Sequence, residues 1–474
     1  MKIILVNPNY EGSLESKRAY IPLGLAYIAA VIRKSNRHQL KVIDAAALDL
    51  PDDKLLEEIK NFNADVVAVG AVTDLMKAAV NVCNIAKKAG AKTVIGGVHP
   101  TILPDETIAF EEVDIVIIGE GEYTLLKLLD TLEKKSSLRK VDGIFFKEKI
   151  KDKIKVLKNK PRKAIENLDE LPFPARDLFP WKLYSSYSSI VRKTPSMHMM
   201  TSRGCPFHCT FCASQSLWKN CRARSAKSIA DEIEELIKNF GIKEIYLFDD
   251  TFNLNLKRAE EICDEIINRR LKICLRVQAR VLPMTEQLLK KMKKAGCWCI
   301  YYGIESGNEM VLKDIKKNIS LEQARKTFRM TENAGIRTFG FFMIGLPKDD
   351  RKTIEDTLNF ALEINPDFVN FGILIVYPGT EIYELAIKEK SINRIKPKEI
   401  FKPSRYTNKN LSDEELQKEL SNIYKKFYIR PGYMIRRLLR IRTFNELKAN
   451  ITSGLPMLKG KNPFIVAKKW IASD

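Results

Sequence analysis

The chain has 474 residues, of which 45 % are hydrophobic and 29 % charged, and its formal net charge is +21. This composition excludes a disordered protein, and the length predicts two or three domains. The sequence lacks both an apolar run of about 18 residues and a signal-peptide start, so we expect a cytoplasmic protein without a membrane-spanning helix. Nine cysteines, an odd number, favour reduced thiols or metal ligands over a disulfide framework.

Residues 1–135 alternate between short apolar runs and amphipathic helical patterns. The runs KIILVNP, LKVIDA, VVAVGAV, KTVIGG and DIVIIG predict strands, with helices between them. This alternation is typical of a doubly wound parallel sheet with helices on both faces. Such sheets bind ligands beyond the carboxyl ends of their strands, and glycine-rich loops follow several of these strands.

The rest of the chain divides into three further regions. Residues 136–185 are predicted to be a linker, because NLDELPFPARDLFPW contains too much proline for a regular helix or a central strand. Residues 186–395 contain six strand–helix units, which predict a (β/α)6-like barrel, partial or full, with its chemistry at the C-terminal strand ends. Residues 396–474 are predicted to form a basic, mostly helical C-terminal region.

Three cysteines are crowded into residues 201–215, TSRGCPFHCTFCASQ. Cys205, Cys209 and Cys212 have the spacing C-x3-C-x2-C, one thiol fewer than a closed zinc site or a saturated cubic cluster requires. Zinc would need a fourth ligand, and His208 lies beside Cys209 in poor geometry for that role. An iron–sulfur cluster could instead leave one iron open to a small molecule. The spacing favours the cluster but leaves zinc as an alternative.

With this cysteine motif and domain order, the sequence resembles radical S-adenosylmethionine enzymes that carry an N-terminal cobalamin-binding domain. The resemblance extends over nearly the whole chain. It implies that Cys205, Cys209 and Cys212 hold a [4Fe–4S] cluster whose fourth iron chelates S-adenosylmethionine. One electron, from a donor such as flavodoxin or ferredoxin, would then cleave the sulfonium to a 5′-deoxyadenosyl radical.

The resemblance also implies which residues bind S-adenosylmethionine. The sequence GIESG at 303–307 matches a motif of this group, and Arg280 matches a common arginine whose role the sequence leaves open. The implied S-adenosylmethionine-binding residues are Phe211, Asp249, Asp250, Gly303, Glu305, Ser306 and Gly345.

For cobalamin, the loops GGVHPT and GEGE resemble those that hold the corrin and its nucleotide tail. The implied cobalamin-binding residues are Thr73, Gly96, Gly97, His99, Gly119 and Glu120. The motif D-x-H-x-x-G, whose histidine binds cobalt from below, is replaced by DAAAL at 44–48. Members of this group usually lack that histidine, so we expect cobalamin with no protein histidine on cobalt.

The resemblance implies methylation of an unactivated carbon of a small or lipid-like metabolite. Oxidative cyclisation or ring rearrangement without methyl transfer is an alternative. A further alternative is an RNA-modifying methylthiotransferase, but Cys83 is the only cysteine before Cys205 and the tail is predicted to be helical. We therefore expect no nucleic-acid partner. A complete cysteine triad and barrel argue against a non-catalytic cofactor sensor.

The C-terminal 54 residues, 421–474, carry twelve Lys or Arg against two acidic residues. An apolar stripe with arginines beside it suggests a peripheral membrane contact. The alternatives are a helix packed on the barrel with its arginines solvated or paired, and an RNA-facing patch. The stripe comprises Phe427, Tyr433, Ile435, Leu438, Leu439 and Ile441, and the arginines are Arg436, Arg437 and Arg440.

Overall fold

The computed structural model describes residues 1–184, 190–400 and 404–441. The described chain forms two compact units, one of residues 1–184 and 393–400, and one of residues 190–392 and 404–441. The part of the predicted C-terminal region beyond residue 441 lies outside the described residues.

The first unit is built on a seven-stranded sheet in the order β2-β1-β3-β4-β5-β6-β7. Its strands are β1 (Lys2–Asn7), β2 (Gln39–Asp44), β3 (Val66–Gly70), β4 (Lys92–Gly96), β5 (Ile115–Ile117), β6 (Ile144–Ile150) and β7 (Lys153–Lys158). Its helices are α1 (Leu14–Lys17), α2 (Leu23–Ser35), α3 (Ala45–Leu48), α4 (Asp52–Phe62), α5 (Met76–Lys88), α6 (Val98–Ile102), α7 (Pro104–Ile108) and α8 (Glu122–Glu133). Strands β1 to β5 pair in parallel.

Both faces of this sheet are covered. Ile4 and Val6 of β1 belong to one buried cluster with residues of α4 and α5, whereas Ile3 and Leu5 belong to a second cluster with residues of α2 and α8. Successive side chains of a strand point to opposite faces, so the apolar run of β1 serves two cores. The predicted doubly wound fold is confirmed.

The structure differs from the linker expected at residues 136–185. Strands β6 and β7 form an antiparallel hairpin that extends the sheet from β5, with Phe146 opposite Ile115. The hairpin turns at Lys151 and Asp152, which both have positive φ, 46° and 61°, as a two-residue type I′ turn requires. The proline-rich remainder also belongs to the first unit, where Ala175 N donates to the carbonyl oxygen of Ala26 at 3.0 Å.

The second unit contains a sheet of six parallel strands in the order β15-β14-β13-β12-β11-β8. Its strands are β8 (Ser196–Met199), β11 (Glu244–Leu247), β12 (Cys274–Ala279), β13 (Cys297–Glu305), β14 (Arg337–Ile344) and β15 (Phe368–Ile373). Two short pairs, β9 (Ser202–Arg203) with β10 (Arg222–Ala223) and β16 (Ile375–Val376) with β17 (Ser404–Arg405), are antiparallel. In this sheet β8 and β15 are the two edges, so the barrel is partial.

The helices of the second unit alternate with its strands as expected. They are α9 (Ser214–Leu217), α10 (Ala226–Phe240), α11 (Leu256–Asn268), α12 (Glu286–Lys294), α13 (Glu309–Asp314), α14 (Leu321–Asn333), α15 (Arg351–Ile364), α16 (Glu381–Lys388), α17 (Asp413–Tyr428) and α18 (Pro431–Leu439). Tyr302 of β13 packs on Phe328 of α14, with ring centroids 5.2 Å apart. The adjacent Tyr301 points to the opposite face, where it stacks on Phe339 at 4.7 Å. That opposite face is rich in aromatic side chains.

The C-terminal helices α17 and α18 close the β15 edge of the sheet. The hydroxyl groups of Tyr424 and Tyr428 each bond to both the N–H and the carbonyl of one β15 residue, Phe371 and Val369 respectively, at 2.9–3.0 Å. An open edge strand exposes unpaired backbone groups, and these tyrosines satisfy them. The helices are therefore an integral part of the second unit.

The arginines of α18 and its C-terminal end are directed at the barrel. Arg436 donates to the carbonyl oxygen of Asn365 at 2.9 Å, and Arg440 pairs with Asp367 at 2.6 Å. Arg437 lies over a phenylalanine of β15, 4.2 Å from its centroid. For the described residues this confirms the packed-helix alternative and removes these arginines as headgroup ligands. The apolar residues Ile435, Leu438 and Leu439 remain 58 %, 66 % and 73 % exposed.

The described residues contain no helix that is long and apolar enough to cross a membrane.

Candidate functional site

The cysteine loop lies at the carboxyl end of β8, the first strand of the six-stranded sheet. Strands β9 and β10 pair across its base, with Arg203 opposite Arg222. Gly204, directly before the first cysteine, has φ +90°, and a Cβ there would lie 2.8 Å from the carbonyl oxygen of Asn220. Only glycine fits this close approach, so the loop closes tightly before Cys205.

The loop is tied down through its own backbone. Thr210 N donates to the carbonyl oxygen of Ile315 at 3.1 Å, and its carbonyl accepts from Ile382 N at 3.0 Å. The amide of Gln215 donates to the carbonyl oxygens of Phe207, at 3.1 Å, and of Cys205. These bonds hold the loop in one conformation without using the cysteine thiols.

All three thiols are free, so they can serve as ligands. Cys205 and Cys209 are half-buried, and Cys212 is exposed. Cys205 Sγ lies 3.6 Å from the hydroxyl of Thr251. Among the described residues no group of three His, Cys, Asp or Glu could hold a single metal ion, but in a [4Fe–4S] site each cysteine binds a different iron. Three free thiols on a fixed, accessible loop fit a cluster with one open iron.

Asp249, which the resemblance implies for S-adenosylmethionine binding, is hydrogen-bonded within the protein. Its Oδ1 accepts from the backbone N–H groups of Thr201 and Ser202 at 2.6 and 2.9 Å, and its Oδ2 accepts from the Thr201 hydroxyl. The residue is 2 % exposed. These hydrogen bonds hold the strand that leads into the cysteine loop, and a contact of Asp249 with S-adenosylmethionine stays a prediction.

Asp250 and Phe211, two further expected ligands, remain accessible to a cosubstrate. Asp250 is exposed, and its Oδ2 accepts from the hydroxyl of Ser214 at 3.0 Å. Phe211 is half-buried, directly before Cys212 in the loop. The structure places both side chains with the cysteines, but it assigns neither a contact that identifies its role.

The GIESG turn at the end of β13 is built around a buried ion pair. Lys317 Nζ donates to Glu305 Oε1 at 2.7 Å, and the two side chains are 7 % and 11 % exposed. Glu305 has φ +75°, a conformation that is rare for residues other than glycine. A Cβ on Gly303 would lie 2.5 Å from Glu305 Oε1, so Gly303 provides room for the pair.

Ser306, the third expected residue of this turn, is buried and hydrogen-bonded within the protein. It is fully buried, its hydroxyl lies 3.2 Å from the Thr357 hydroxyl, and it accepts from Asn308 N at 3.2 Å. A Cβ on Gly307 would lie 2.6 Å from the carbonyl oxygen of Asp356. The hydroxyl of Ser306 packs the turn against α15, and its contact with S-adenosylmethionine stays a prediction.

The sequence pattern did not identify Lys317 as a candidate site residue. It stands in a run of charged residues, KDIKKN, beside Lys316, which is exposed and pairs with Glu381 at 2.7 Å. Nothing in the sequence separates these two lysines. Only the fold shows that Lys317 enters the site.

The loop after β14 carries Gly345 in the left-handed region, at φ +78°. Leu346 N donates to the buried Asp349 carboxylate at 3.0 Å, and the Thr353 hydroxyl donates at 2.9 Å. Burial raises the pKa of Asp349 to about 6, against the lowering effect of these hydrogen bonds. The amide of Asn408 bonds to the carbonyl oxygen of Leu346 at 2.8 Å. These hydrogen bonds fix the backbone of the loop that carries Gly345, which is expected to bind S-adenosylmethionine.

In the first unit, the expected corrin site coincides with the carboxyl edge of β3 and β4. Gly97 has φ +110°, and a Cβ there would lie 2.6 Å from the carbonyl oxygen of Ala71. Ala71 N donates to the carbonyl of Gly96 at 2.8 Å. The two loops thus approach so closely that Gly97, which is exposed, presents bare backbone to a ligand.

His99 follows this glycine on α6 and is 3 % exposed. Burial lowers the pKa of its imidazole to about 4, so the ring is neutral at neutral pH. Within the described chain its Nδ1 is buried without a hydrogen-bond partner. Such an orphaned atom fits a ligand-binding role. The other histidine of this unit, His38, lies before β2 and bonds to Asp130.

The remaining residues expected to bind cobalamin are Thr73, Gly119 and Glu120. Thr73 begins a short 3-10 helix after β3, and Gly119 is exposed after β5 with φ +74°; both lie at the carboxyl edge. Glu120 Oε2 accepts from Ile165 N at 2.7 Å. At least one carboxylate oxygen of Glu120 therefore stabilises the backbone at Ile165.

Asp44, at the position of the missing D-x-H-x-x-G motif, caps the short helix α3. Its carboxylate accepts from Asn7 Nδ2 at 2.7 Å, from Ala47 N at 3.1 Å and from the Tyr184 hydroxyl. Burial raises its pKa despite these hydrogen bonds. The Asp44 carboxylate therefore has hydrogen-bond donors within the protein for both of its oxygens.

Two family models match the chain, the radical SAM superfamily over residues 199–361 and the B12 binding domain over residues 14–129. An uncharacterized methyltransferase of Pyrococcus horikoshii is 35 % identical over 457 residues, covering 94 % of this chain and 96 % of the relative. The chain belongs to the cobalamin-dependent radical S-adenosylmethionine methyltransferase family. This enzyme therefore uses a [4Fe–4S] cluster, S-adenosylmethionine and cobalamin, as the resemblance implied.

More distant relatives of this radical S-adenosylmethionine enzyme differ in their named activities. The anaerobic magnesium-protoporphyrin IX monomethyl ester cyclase of Cereibacter sphaeroides is 28 % identical, covering 91 % of this chain and 71 % of the cyclase. The hopanoid C-3 methylase of Methylococcus capsulatus is 26 % identical, covering 80 % and 72 %. The cobalamin-dependent radical enzyme OxsB with aqua-cobalamin bound shares the fold, with a TM-score of 0.75, 18 % identity and coverage of 98 % and 72 %.

Proposed function

We propose that this enzyme methylates an unactivated carbon of a small or lipid-like substrate with a flat, apolar surface. When bound, the cluster and S-adenosylmethionine supply a radical that removes a hydrogen atom, and cobalamin supplies the methyl group. The protein then has to bind the substrate, orient the reacting carbon and exclude water.

The observation that carries this proposal is the aromatic face of the six-stranded sheet. Tyr246 lies 5.1 Å from Tyr301, centroid to centroid, and 5.2 Å edge-on from Phe248. Phe341 lies 6.0 Å from Tyr301. Phe248 is 46 % exposed and directly precedes Asp249, at the strand end nearest the cysteine loop. Aromatic side chains bury large apolar areas with defined ring geometry, which suits a planar or polycyclic substrate.

The named substrates of two relatives agree with such a surface. Hopanoids are polycyclic lipids, and magnesium-protoporphyrin is a planar tetrapyrrole; the proteins named for them are 26 % and 28 % identical to this chain. A flat apolar substrate is common to both. We infer the same substrate class here.

The roles of individual site residues are part of the proposal. We propose that Asp250, Glu305 and the backbone at Gly345 contact S-adenosylmethionine, supported by their places at neighbouring strand ends. For cobalamin we propose the backbone of Gly97 and the neutral imidazole of His99. Phe211, Gly303, Thr73, Gly96, Gly119 and Glu120 shape these two sites.

The test uses anaerobically reconstituted enzyme, cobalamin and S-adenosylmethionine with a deuterated methyl group. A panel of hopanoids and tetrapyrroles is offered, and products are analysed by mass spectrometry. We expect 5′-deoxyadenosine and a product that carries the label. The variant F341A, assayed in the same way, should show lower turnover and a higher KM, because the substitution removes one ring of the aromatic face.

Oxidative cyclisation is the second candidate, favoured by the 28 % identity to the magnesium-protoporphyrin cyclase over 91 % of this chain. It predicts 5′-deoxyadenosine together with an oxidised, unlabelled product. The same mass spectra therefore distinguish the two functions.

Three associations complete the proposal. A flavodoxin- or ferredoxin-like donor would reduce the cluster, and the protein would act in the cytoplasm. A peripheral membrane contact would rest on the exposed Ile435, Leu438 and Leu439, since the neighbouring arginines bind the barrel.

A further inference from the structure

Arg280, which directly follows β12, places a cation beside the cysteine loop. Its guanidinium carbon lies 3.7 Å from the centroid of the Phe207 ring, and its Nη1 lies 3.8 Å from Cys209 Sγ. Its Nη2 donates to the carbonyl oxygen of Lys317. The side chain is thus held from several sides against the loop that carries the three cysteines.

The backbone of Arg280 is fixed as well. Asn253 is fully buried, accepts from Arg280 N at 2.9 Å and donates to the Arg280 carbonyl oxygen at 2.9 Å. A planar guanidinium that is stacked and hydrogen-bonded in this way has few alternative rotamers. Its charge therefore has a defined position relative to Cys209.

The charge of Arg280 has no carboxylate partner among the residues that the structure describes, although only 6 % of the residue is exposed. Its Nε is buried without a hydrogen-bond partner in the same part of the chain. Arg276, four residues earlier, shows the usual solution, because it pairs with the buried Glu244 at 2.7 Å. A buried charge without a counterion is strongly unfavourable, so the arrangement calls for an anion at Arg280.

We propose that the cluster is this anion and that Arg280 raises its reduction potential. A cluster on three thiolates carries negative charge and gains one more electron on reduction, so a fixed cation beside Cys209 favours the reduced form. Hydrogen bonds to cysteine sulfur and local net charge are established determinants of cluster potential. This inference rests on the cluster of the proposed function and is independent of methyl transfer.

The experiment measures the midpoint potential of the reconstituted cluster, without S-adenosylmethionine, by electron paramagnetic resonance during a reductive titration. In R280Q we expect the ratio of reduced to oxidised cluster at a fixed potential to fall about tenfold, a shift of about −59 mV for one electron. R280K keeps the charge and should stay close to the wild type. The control R325Q loses an arginine that pairs with Glu363 at 2.5 Å, away from the cysteine loop, and should not shift.

Iron content is measured in every variant. A wild-type potential in R280Q with full iron content overturns the proposal. If R280Q binds no iron, the R280K variant tests the proposal. An iron-loaded R280K with the wild-type potential supports the role of the charge. Loss of iron from R280K, or a fall of about tenfold in its ratio of reduced to oxidised cluster, contradicts it.

The alternative anion is the carboxylate of S-adenosylmethionine. If R280Q keeps the wild-type potential but binds S-adenosylmethionine more weakly in equilibrium dialysis, Arg280 serves that carboxylate and the cluster proposal is wrong. None of these readouts depends on a methylated product. A failure of the proposed methyl transfer is therefore detected separately.

Discussion

Lys317 and Glu305 form a buried ion pair with an Nζ–Oε1 distance of 2.7 Å at the turn that ends β13. The carbonyl of Lys317 also accepts a hydrogen bond from Arg280, whose guanidinium lies against Cys209. One lysine thus connects the GIESG turn to the cysteine loop. The two parts of the expected S-adenosylmethionine site share a single polar network.

Replacing Lys317 by methionine should destabilise the protein by about 3–5 kcal/mol, because it leaves the Glu305 carboxylate buried and unpaired. The measurement is urea-induced unfolding of the protein without cofactors. K316M is the matched control, since Lys316 is 50 % exposed where it pairs with Glu381, and exposed pairs contribute about 0–1 kcal/mol. Equal losses in the free energy of unfolding of K317M and K316M would show that the buried pair stabilises the protein no more than the exposed pair. The double variant E305Q/K317M should recover part of the loss.

Asp349 should make stability depend on pH in a defined window. Its pKa of about 6 in the folded protein exceeds the usual 3.8, so the folded state binds this proton more tightly than the unfolded chain. The free energy of unfolding should therefore fall by up to about 3 kcal/mol as pH rises from about 4 to above 6. D349N should lack this contribution. The difference between the two proteins across the window is the measurement, and identical pH profiles would contradict the prediction.

Bound cobalamin should carry no protein histidine on cobalt. The position of the missing motif is occupied by Asp44, and among the described residues of the first unit the only histidine at the carboxyl edge is the buried His99. Electron paramagnetic resonance of the Co(II) form should lack nitrogen superhyperfine splitting. H99A should bind cobalamin more weakly with an unchanged spectrum. Splitting in the wild type that disappears in H99A would refute the open lower face.

Association of α18 with liposomes should not depend on salt. The arginines of this last described helix bind the barrel, whereas Leu438 and Leu439 are exposed, so attraction through this helix should be apolar rather than electrostatic. Sedimentation with anionic liposomes should be reduced in L438S/L439S and equal at low and moderate salt. A sedimented fraction that falls with salt would restore the headgroup interpretation. Equal recovery in the soluble fraction for the wild type and L438S/L439S would remove the membrane contact.

The sequence was sufficient to predict features that depend on local pattern. The apolar strands, the alternation of strands and helices, and the order of the two sheets follow from burial of continuous hydrophobic runs. The hairpin of β6 and β7 was missed, because its turn residues Lys151 and Asp152 are not the usual glycine or asparagine and the strand β7 is rich in lysine. Its pairing becomes evident only beside β5.

Predictions of single site residues depended on packing that a linear pattern does not contain. Asp249 and Ser306 lie at the expected strand ends. The Asp249 carboxylate accepts from backbone N–H groups, and the Ser306 hydroxyl lies against the Thr357 hydroxyl. Lys317 and Arg280 contribute through contacts between distant segments. A resemblance in motif therefore predicts the region of the site, whereas the direction of each side chain requires the fold.

The most direct test of the account is the detection of 5′-deoxyadenosine. Anaerobically reconstituted protein with dithionite and S-adenosylmethionine should show iron–sulfur absorbance and form 5′-deoxyadenosine. A variant with Cys205, Cys209 and Cys212 replaced by alanine should show neither, while still binding cobalamin. If the triple variant keeps its iron and forms 5′-deoxyadenosine at the wild-type rate, these three cysteines do not hold the cluster and the central claim is wrong.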